Sequence, residues 1–157
     1  MKKKIVITGG LGYIGTELCK LYSGVSWNHE IIVIDNRFIS ERVNQLRNWN
    51  IEFIQGDILD KDLIKKHCSN ADVVHHLAGI TQVPRTKSEA SDIQDAKIRE
   101  VGEKGTQNIL DVISDKCKII FPSTHVVYEG TNEVRTDIKE DETIKPVLSY
   151  STSKAVN

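Results

Sequence analysis

Cysteine is scarce in this chain, which has three in 157 residues, at Cys19, Cys68 and Cys117. Their number is odd, and no two of them have the short spacing of a metal-binding or redox motif. This excludes a disulfide framework and a cysteine-rich zinc site. We expect free thiols that pack as small apolar side chains, in a protein of the reducing cytoplasm.

The sequence also lacks an excess of one charge and a long apolar run. The formal net charge is −1, and the only cationic cluster, Lys2-Lys3-Lys4, is typical of a solvated strand start rather than of nucleic-acid binding. No apolar stretch approaches the roughly 18 residues that a membrane span needs. The chain reaches an apolar segment at Ile5 without a signal-peptide pattern. We therefore expect a cytoplasmic protein with no nucleic-acid and no membrane partner.

A regular alternation of short apolar runs and helical patterns is present. Five apolar runs predict buried strands at residues 5–8, 31–34, 51–54, 72–77 and 118–121. Strands that are apolar on both faces and separated by helices form parallel sheets that are covered on both sides. The pattern therefore predicts an α/β fold with a doubly wound parallel sheet (a Rossmann fold), and a length of 157 residues predicts one domain.

Helix signals lie between the predicted strands. The first helix opens at Gly12 and Gly15 and runs to about residue 21, with Ile14, Leu18 and Leu21 expected on one face. Further helices are expected at 41–49 with Ser40 as the cap, at 61–68 with Asp60 as the cap, over about 88–114, and from Ser149 onward.

The turn after the first strand is rich in glycine. Gly9, Gly12 and Gly15 stand in the spacing Gly-x-x-Gly-x-x-Gly between a strand and a helix. Such a turn lets backbone N–H groups approach a pyrophosphate, and the helix N-terminus adds partial positive charge. Asp35 ends the second strand, where a carboxylate accepts both ribose hydroxyls of an adenosine and repels a 2′-phosphate. Together these residues predict dinucleotide binding.

Six segments, in order along the chain, resemble the extended short-chain dehydrogenase/reductase family of nucleotide-sugar epimerases and dehydratases. They are TGGLGYIG (8–15), Gly56-Asp57-Ile58, VHHLAG (74–79), Gly105-Thr106-x-Asn108, FPSTHVVY (121–128) and Tyr150-x-x-x-Lys154. The resemblance implies NAD as cofactor, held by Gly9, Gly12, Tyr13, Ile14, Gly15, Asp35, Asn36, Asp57, Ile58, Leu77, Ala78, Gly79, Tyr150 and Lys154. NADP is the alternative, because Arg37 and Arg42 after Asp35 could accommodate a 2′-phosphate.

The resemblance also implies a catalytic set of Thr124, Tyr150 and Lys154. Tyr150 and Lys154 are four residues apart on a helix, so their side chains share a face. A free tyrosine has a pKa of about 10, and a nearby ammonium stabilises the phenolate. Tyr150 would move the proton of a sugar hydroxyl while the nicotinamide takes hydride from the same carbon. Lys154 would tune Tyr150 and hold the nicotinamide ribose, and Thr124 would bond the reacting oxygen.

The residues after Thr124 bear on the reaction type. Dehydratases and decarboxylases of the family carry acids there, whereas this chain has His125 and Val126. Valine moves no proton, which disfavours dehydration. We therefore expect a nucleotide-sugar epimerase. A keto-sugar reductase or dehydratase of the same family is one alternative, and a non-catalytic NAD-binding module is another.

No metal site is expected, although the chain has histidines near the predicted site. His75 and His76 are adjacent on a strand, so their side chains point to opposite faces and cannot chelate one ion. The resemblance places only His76 beside the cofactor.

Two departures from the family pattern concern the site: Gly102 stands where the family often has Asn, and Glu129 interrupts a Val-Tyr-Gly sequence. The resemblance continues beyond Asn157 into a smaller domain that grips the sugar nucleotide. We therefore expect residues 1–157 to be an NAD(P)-binding Rossmann domain, incomplete at its C-terminus and inactive alone. The substrate-binding domain would be absent, and the fifth strand would be an apolar sheet edge. Nucleotide-sugar binding and a homodimer would belong to the full-length form.

Overall fold

A computed structural model of the chain describes residues 2–81, 89, 91–131 and 133–157. Within them, five strands form one parallel sheet with the order β3-β2-β1-β4-β5. The strands are β1 (Lys4–Thr8), β2 (Glu30–Asp35), β3 (Glu52–Gln55), β4 (Val73–His76) and β5 (Lys118–Ile120). Each lies within one or two residues of its predicted position, and the predicted doubly wound α/β class is confirmed. β5 is an edge strand, as expected.

The described residues divide into two compact units. The first comprises Met1–Gly79 and Gly105–Pro122, and the second comprises Ile80–Lys104 and Ser123–Asn157. The first unit contains the sheet with α1 (Tyr13–Ser23), α2 (Ser40–Asn48), α3 (Lys61–Cys68) and α5 (Gly105–Leu110). The second contains α4 (Asp92–Arg99), a π-helical segment (Glu100–Lys104), a 3-10 helix (His125–Tyr128) and α6 (Ser149–Ala155).

The core of the first unit covers both faces of the sheet. Side chains alternate along a strand, and on one face Ile5, Ile7, Ile31 and Val33 pack in a buried cluster with residues of α1 and α2. On the opposite face Val6, Ile32 and Ile34 are equally buried. Residues apolar on both faces of β1 and β2 are what a central parallel strand requires.

The apolar face predicted for α1 packs on the core only at Leu18. Ile14 is 61% exposed and Leu21 is 78% exposed, whereas Gly15 and Cys19 are the buried residues of this helix. The reason is the close approach of Gly15 to the preceding turn, where a Cβ at residue 15 would lie 2.5 Å from Gly10 Cα. That contact fixes the rotation of the helix, and it turns residue 14 and residue 21, two turns further on, toward solvent.

One of the two predicted caps is confirmed and the other is wrong. The Asp60 carboxylate accepts hydrogen bonds from Asp62 N at 3.1 Å and Leu63 N at 3.0 Å, and α3 begins at the next residue. Ser40 is instead the first helical residue of α2, and its N-cap, Ile39, makes no side-chain bond. Because Ser40 lies one position inside the helix, its hydroxyl does not serve as the N-cap.

We expect Asp60→Ala to lower the free energy of unfolding by about 1 kcal/mol, because two amides of α3 lose their acceptor. Ser40→Ala is the matched control and should change it by less than about 0.5 kcal/mol. Urea unfolding of both variants measures the difference. An equal loss in the two variants would contradict the capping geometry.

The helix predicted over about 88–114 differs in three respects. Its beginning at Ser88 lies outside the described residues, and α4 is capped by Ser91, which accepts from Gln94 N at 3.3 Å. The π-helical segment around Gly102 interrupts α-helical geometry, and α5 ends at Leu110. Glycine is a weak helix former, so the backbone widens there. Ile93, one of the apolar positions of the pattern, is exposed.

Three further features bear on the sequence expectations. Cys19 and Cys68 are buried free thiols, and burial raises the pKa of each to about 12. Cys117 is half-buried. In the part of the chain that the structure describes, no helix is long and apolar enough to cross a membrane. The same residues hold no group of three or more His, Cys, Asp or Glu side chains arranged for a metal ion.

Candidate functional site

Backbone hydrogen bonds hold the glycine turn after β1 in place. Gly9 N donates to Ile34 O at 2.8 Å, and Gly12 N donates to Gly9 O at 2.9 Å. Gly9 has φ of +70°, and a Cβ there would lie 2.6 Å from Ala78 N. Only glycine fits this conformation and this close approach to the end of β4.

The N-terminus of α1 carries no side-chain cap. Gly12 is the N-cap, and the first turn contains no acidic residue. The first amides of a helix have no intrahelical acceptor, and here the N-cap residue has no side chain that could accept their hydrogen bonds. Tyr13 and Ile14 in this turn are exposed. The arrangement suits a phosphate group, which uses such amides and the positive end of the helix.

Asp35 at the end of β2 holds the glycine turn by a hydrogen bond. Its side chain is 3% exposed, and Oδ2 accepts from Leu11 N at 3.0 Å. Oδ1 accepts from Arg37 N at 3.0 Å and Arg37 Nε at 3.2 Å, and Oδ2 also accepts from Arg37 Nη2 at 3.3 Å. Arg42 donates to Leu11 O on the same turn. The Arg37 guanidinium therefore covers the carboxylate, a contact that the sequence did not predict.

Three further predicted residues lie just after neighbouring strands, Asn36 after β2 and Asp57 and Ile58 after β3. Asn36 Nδ2 donates to Asp57 Oδ2 at 3.1 Å, and Asp57 Oδ1 accepts from Leu59 N at 3.0 Å. Ile58 is buried, and its carbonyl accepts from Asn108 Nδ2 at 2.9 Å. Asn36 and Asp57 thus form a polar pair at the end of the sheet, and Ile58 belongs to the core behind them.

The end of β4 is held by a buried histidine. His76 is 1% exposed, with Nδ1 2.7 Å from Thr8 Oγ1 and Nε2 3.0 Å from Thr106 Oγ1. Its ring stacks on Phe121 with centroids 5.5 Å apart. Thr8 Oγ1 also accepts from Ala78 N at 3.3 Å. The imidazole therefore supports the predicted segment Leu77-Ala78-Gly79 from inside the fold.

His75 points to the opposite face of the strand, as expected from strand geometry. Its Nε2 lies 2.8 Å from the Tyr22 hydroxyl, and burial lowers the pKa of His75. His125 is exposed.

The three predicted catalytic residues lie in the second unit. Thr124 precedes the 3-10 helix, and its Oγ1 accepts from Val126 N at 3.4 Å. Tyr150 and Lys154 stand one turn apart on α6 and are both half-buried. Burial lowers the pKa of Lys154. Since α6 packs against the 3-10 helix, the structure brings the two segments that carry these residues together.

One residue near this set was missed by sequence reasoning. Glu129, at the end of the 3-10 helix, accepts hydrogen bonds from Leu148 N at 2.7 Å and Val147 N at 2.9 Å. The only signal in the sequence was that Glu129 interrupts the Val-Tyr-Gly pattern.

A parallel sheet of this strand order, with a glycine turn leading from β1 into α1, defines a Rossmann-type protein. Residues 6–157 match the model of the 3-beta hydroxysteroid dehydrogenase/isomerase family. The chain belongs to this family, which is part of the extended short-chain dehydrogenases/reductases, and the predicted family resemblance is confirmed.

The names of individual relatives each contain a nucleotide sugar. UDP-N-acetyl-alpha-D-glucosaminuronate decarboxylase of Bacillus cytotoxicus is 35% identical over 83% of this chain and 40% of its own length. The dTDP-D-glucose 4,6-dehydratase of Dictyostelium discoideum is 31% identical over 98% of this chain and 38% of its own. The crystal structure of UDP-glucose 4-epimerase from Brucella ovis in complex with NAD has a TM-score of 0.78 at 27% identity, over 98% of this chain and 45% of that one. This chain therefore spans less than half the length of each.

Proposed function

We propose that this chain is the cofactor-binding half of an NAD-dependent nucleotide-sugar epimerase. The observation that carries the proposal is in the second unit, where α6 with Tyr150 and Lys154 packs against the helix that follows Thr124. The nucleotide-sugar names of the relatives support the substrate class. The uncapped α1 and the carboxylate of Asp35 support the cofactor class.

The residues of the first unit fit a dinucleotide. A pyrophosphate would lie on the amides at the start of α1, beside Gly12, Tyr13 and Ile14, where the chain supplies no cap of its own. Asp35 would accept the adenosine ribose hydroxyls, and Asn36 and Asp57 would lie near the adenine. When bound, NAD supplies a hydride acceptor and donor. The Brucella ovis relative was solved with NAD.

Asp35→Asn should weaken NAD binding about tenfold, because hydrogen bonds to a charged carboxylate contribute roughly 1.5–3 kcal/mol. NADP binding should be strengthened in the same variant, since the charge that repels a 2′-phosphate is gone. Titration of the variant with each dinucleotide measures both constants. Arg37→Ala is the control: the Arg37 side chain is 55% exposed and covers Asp35, so its removal should leave NAD binding equal or tighter. An unchanged NAD-to-NADP ratio in Asp35→Asn would contradict this role of Asp35.

The proposed chemistry in the second unit is proton transfer at a sugar hydroxyl. Tyr150 would take the proton as the carbon gives up its hydride, and would return the proton when the hydride comes back. The half-buried ammonium of Lys154 would stabilise the Tyr150 phenolate and hold the nicotinamide ribose. Thr124 would donate a hydrogen bond to the reacting oxygen.

The choice of epimerisation over elimination rests on the two residues after Thr124. Val126 has no proton to move, and His125 is exposed at the start of the 3-10 helix. A decarboxylase and a dehydratase are among the relatives, so the names of the relatives alone do not decide the reaction type.

Mass spectrometry of the products distinguishes these reactions. The complete natural protein is incubated with UDP-hexoses and UDP-N-acetylhexosamines, with no added reductant. We expect a product of the same mass as the substrate but with a different chromatographic retention. A product lighter by one water indicates a dehydratase, and loss of carbon dioxide from a uronic acid indicates a decarboxylase. Conversion only with added NADH indicates a reductase, and NAD binding without any conversion indicates a binding module.

The same proposal places this domain within a longer protein. Residues 1–157 would be the Rossmann domain, with the substrate-binding domain outside this chain and an incomplete C-terminal end. The complete protein would bind the nucleotide sugar and form a homodimer. A cytoplasmic location fits the buried free thiols of Cys19 and Cys68, which a reducing compartment preserves.

A further inference from the structure

Glu129 connects two segments of the second unit. It follows the 3-10 helix that begins after Thr124, and its Oε1 atom receives three hydrogen bonds, two from the residues that lead into α6 and one from the first turn of that helix. The donors are Leu148 N at 2.7 Å, Val147 N at 2.9 Å and the Ser151 hydroxyl. A single carboxylate oxygen therefore joins the segment of Thr124 to the helix of Tyr150 and Lys154.

α6 has no side-chain cap of its own. Its N-cap is Leu148, which has no polar side chain to offer the first amides. The helix has seven residues, and isolated helices of that length are marginal in water. A carboxylate at its N-terminus satisfies amide donors and interacts favourably with the helix dipole. Glu129 thus holds the N-terminal end of α6 from a distant position, through the amides of Val147 and Leu148 that lead into the helix and the Ser151 hydroxyl in its first turn.

The Glu129 carboxylate is suited to stay ionised in this place. Burial raises its pKa, while the hydrogen bonds from Ser151, Leu148 and Val147 lower it, and the net result is a pKa below the ordinary value. The negative charge needed at the start of α6 is therefore present at neutral pH.

Backbone hydrogen bonds fix the same two segments in register. Lys145 N donates to Val127 O at 2.7 Å, and Gly130 N donates to Lys145 O at 2.9 Å. A Cβ at residue 130 would lie 2.6 Å from Lys145 O, so this close pairing needs glycine. Glu129 lies between these two bonds, and its side chain continues the connection to α6.

The other departure from the family pattern also meets α6. A Cβ at Gly102 would lie 2.9 Å from Ser153 Oγ, and Gly102 O accepts from Asn157 Nδ2 at 3.0 Å. The absence of a side chain at residue 102 lets the π-helical segment approach α6 closely. Both atypical residues thus contact the helix that carries Tyr150 and Lys154, on Ser153 and on Ser151.

We propose that Glu129 is a positioning residue, which sets the rotation and register of α6 and thereby the placement of Tyr150 and Lys154 relative to Thr124. This inference rests on the proposed function for its catalytic consequence. Each residue of an α-helix is turned by about 100° from the last, so a carboxylate that binds Ser151 also fixes the direction of Tyr150 beside it. A misplacement of about 1 Å can lower a rate by about 100-fold.

The test compares Glu129→Ala and Glu129→Gln in the complete protein. Alanine removes the acceptor, whereas glutamine keeps a side-chain oxygen for Leu148 N and Val147 N without the charge. We expect Glu129→Ala to lower kcat about 10- to 100-fold, with a smaller change in KM and at most a few-fold weaker NAD binding, because the proposed pyrophosphate and adenosine contacts lie in the first unit. Glutamine should restore most of kcat. Glu133→Ala, which removes an exposed carboxylate from the same loop, is the matched control and should behave as the wild type.

Hydrogen exchange of α6 gives a second readout that needs no turnover. Amides of residues 149–155 should exchange faster in Glu129→Ala than in the wild type and in Glu133→Ala, while those of β1 and β2 stay protected. Unchanged exchange overturns the positioning role whatever the activity. If exchange is faster but Glu129→Ala keeps the wild-type kcat, the positioning role is also overturned. It is likewise overturned if the kcat of Glu129→Gln is as low as that of Glu129→Ala. If the wild type turns over no nucleotide sugar, the proposed function fails, and the exchange result alone decides whether Glu129 holds α6.

Discussion

Tyr150→Phe should lower kcat of the complete protein about 10²–10⁴-fold, which is the usual contribution of a general acid–base group. Phenylalanine keeps the ring and removes only the hydroxyl that is proposed to carry the sugar proton. The rest of α6, with Lys154 and the Glu129 contact, stays as it is. NAD binding should change little, because the proposed pyrophosphate and adenosine contacts lie in the first unit. Steady-state turnover of the UDP-sugar together with an NAD titration measures both effects.

Tyr128→Phe is the matched control for this prediction. Tyr128 lies in the same unit, and its hydroxyl donates to Glu140 O at 3.1 Å. Its removal costs an exposed hydrogen bond, worth roughly 0.5–1.5 kcal/mol of stability, and should leave kcat within about twofold. If Tyr150→Phe retains wild-type turnover while Tyr128→Phe does too, Tyr150 is not the proton carrier, and the proposed catalytic set is wrong.

Gly15→Ala should weaken NAD binding by about 100-fold or more. A Cβ at residue 15 would lie 2.5 Å from Gly10 Cα and 2.6 Å from Gly9 O. Both are backbone atoms of the glycine turn, so the turn itself has to move. In an ordinary helix interior the same change stabilises the protein by about 0.8–1 kcal/mol, so a loss of stability here shows the clash directly. NAD titration and urea unfolding of the variant measure the two effects.

Gly24→Ala provides the control on the same helix. Gly24 is the C-cap of α1, and an added Cβ would find only Leu21 O, at 3.8 Å. We expect wild-type NAD binding and unchanged or slightly raised stability. NAD binding that survives Gly15→Ala at full strength would mean that the turn is not the pyrophosphate site.

The sheet was predictable from the sequence because each strand is a compact apolar run. β1 and β2 are central, and both of their faces are buried, so the runs from Ile5 and from Ile31 are continuous rather than alternating. The Asp60 cap was predictable for a similarly local reason, since an N-cap needs only its own helix. The glycine turn was predictable because few other structures require three glycines in this spacing between a strand and a helix.

Features that depend on distant contacts were not predictable. The rotation of α1 is set by the approach of Gly15 to Gly10, and an apolar stripe that included Ile14 pointed the wrong way. The guanidinium of Arg37 over Asp35 is a choice among side-chain conformations, on which sequence spacing carries no information. The carboxylate that holds the N-terminal end of α6 comes from Glu129, about twenty residues earlier, where no local rule identifies it.

The most direct test of the central claim uses a UDP-hexose with deuterium at the carbon that inverts. The complete natural protein is supplied with this substrate and catalytic NAD, and the epimer is analysed by mass spectrometry and NMR. The account predicts that the product keeps its deuterium at the same carbon with inverted configuration, because the hydride leaves and returns within one active site. Exchange of the label for solvent hydrogen, loss of water from the sugar, or no conversion would contradict it.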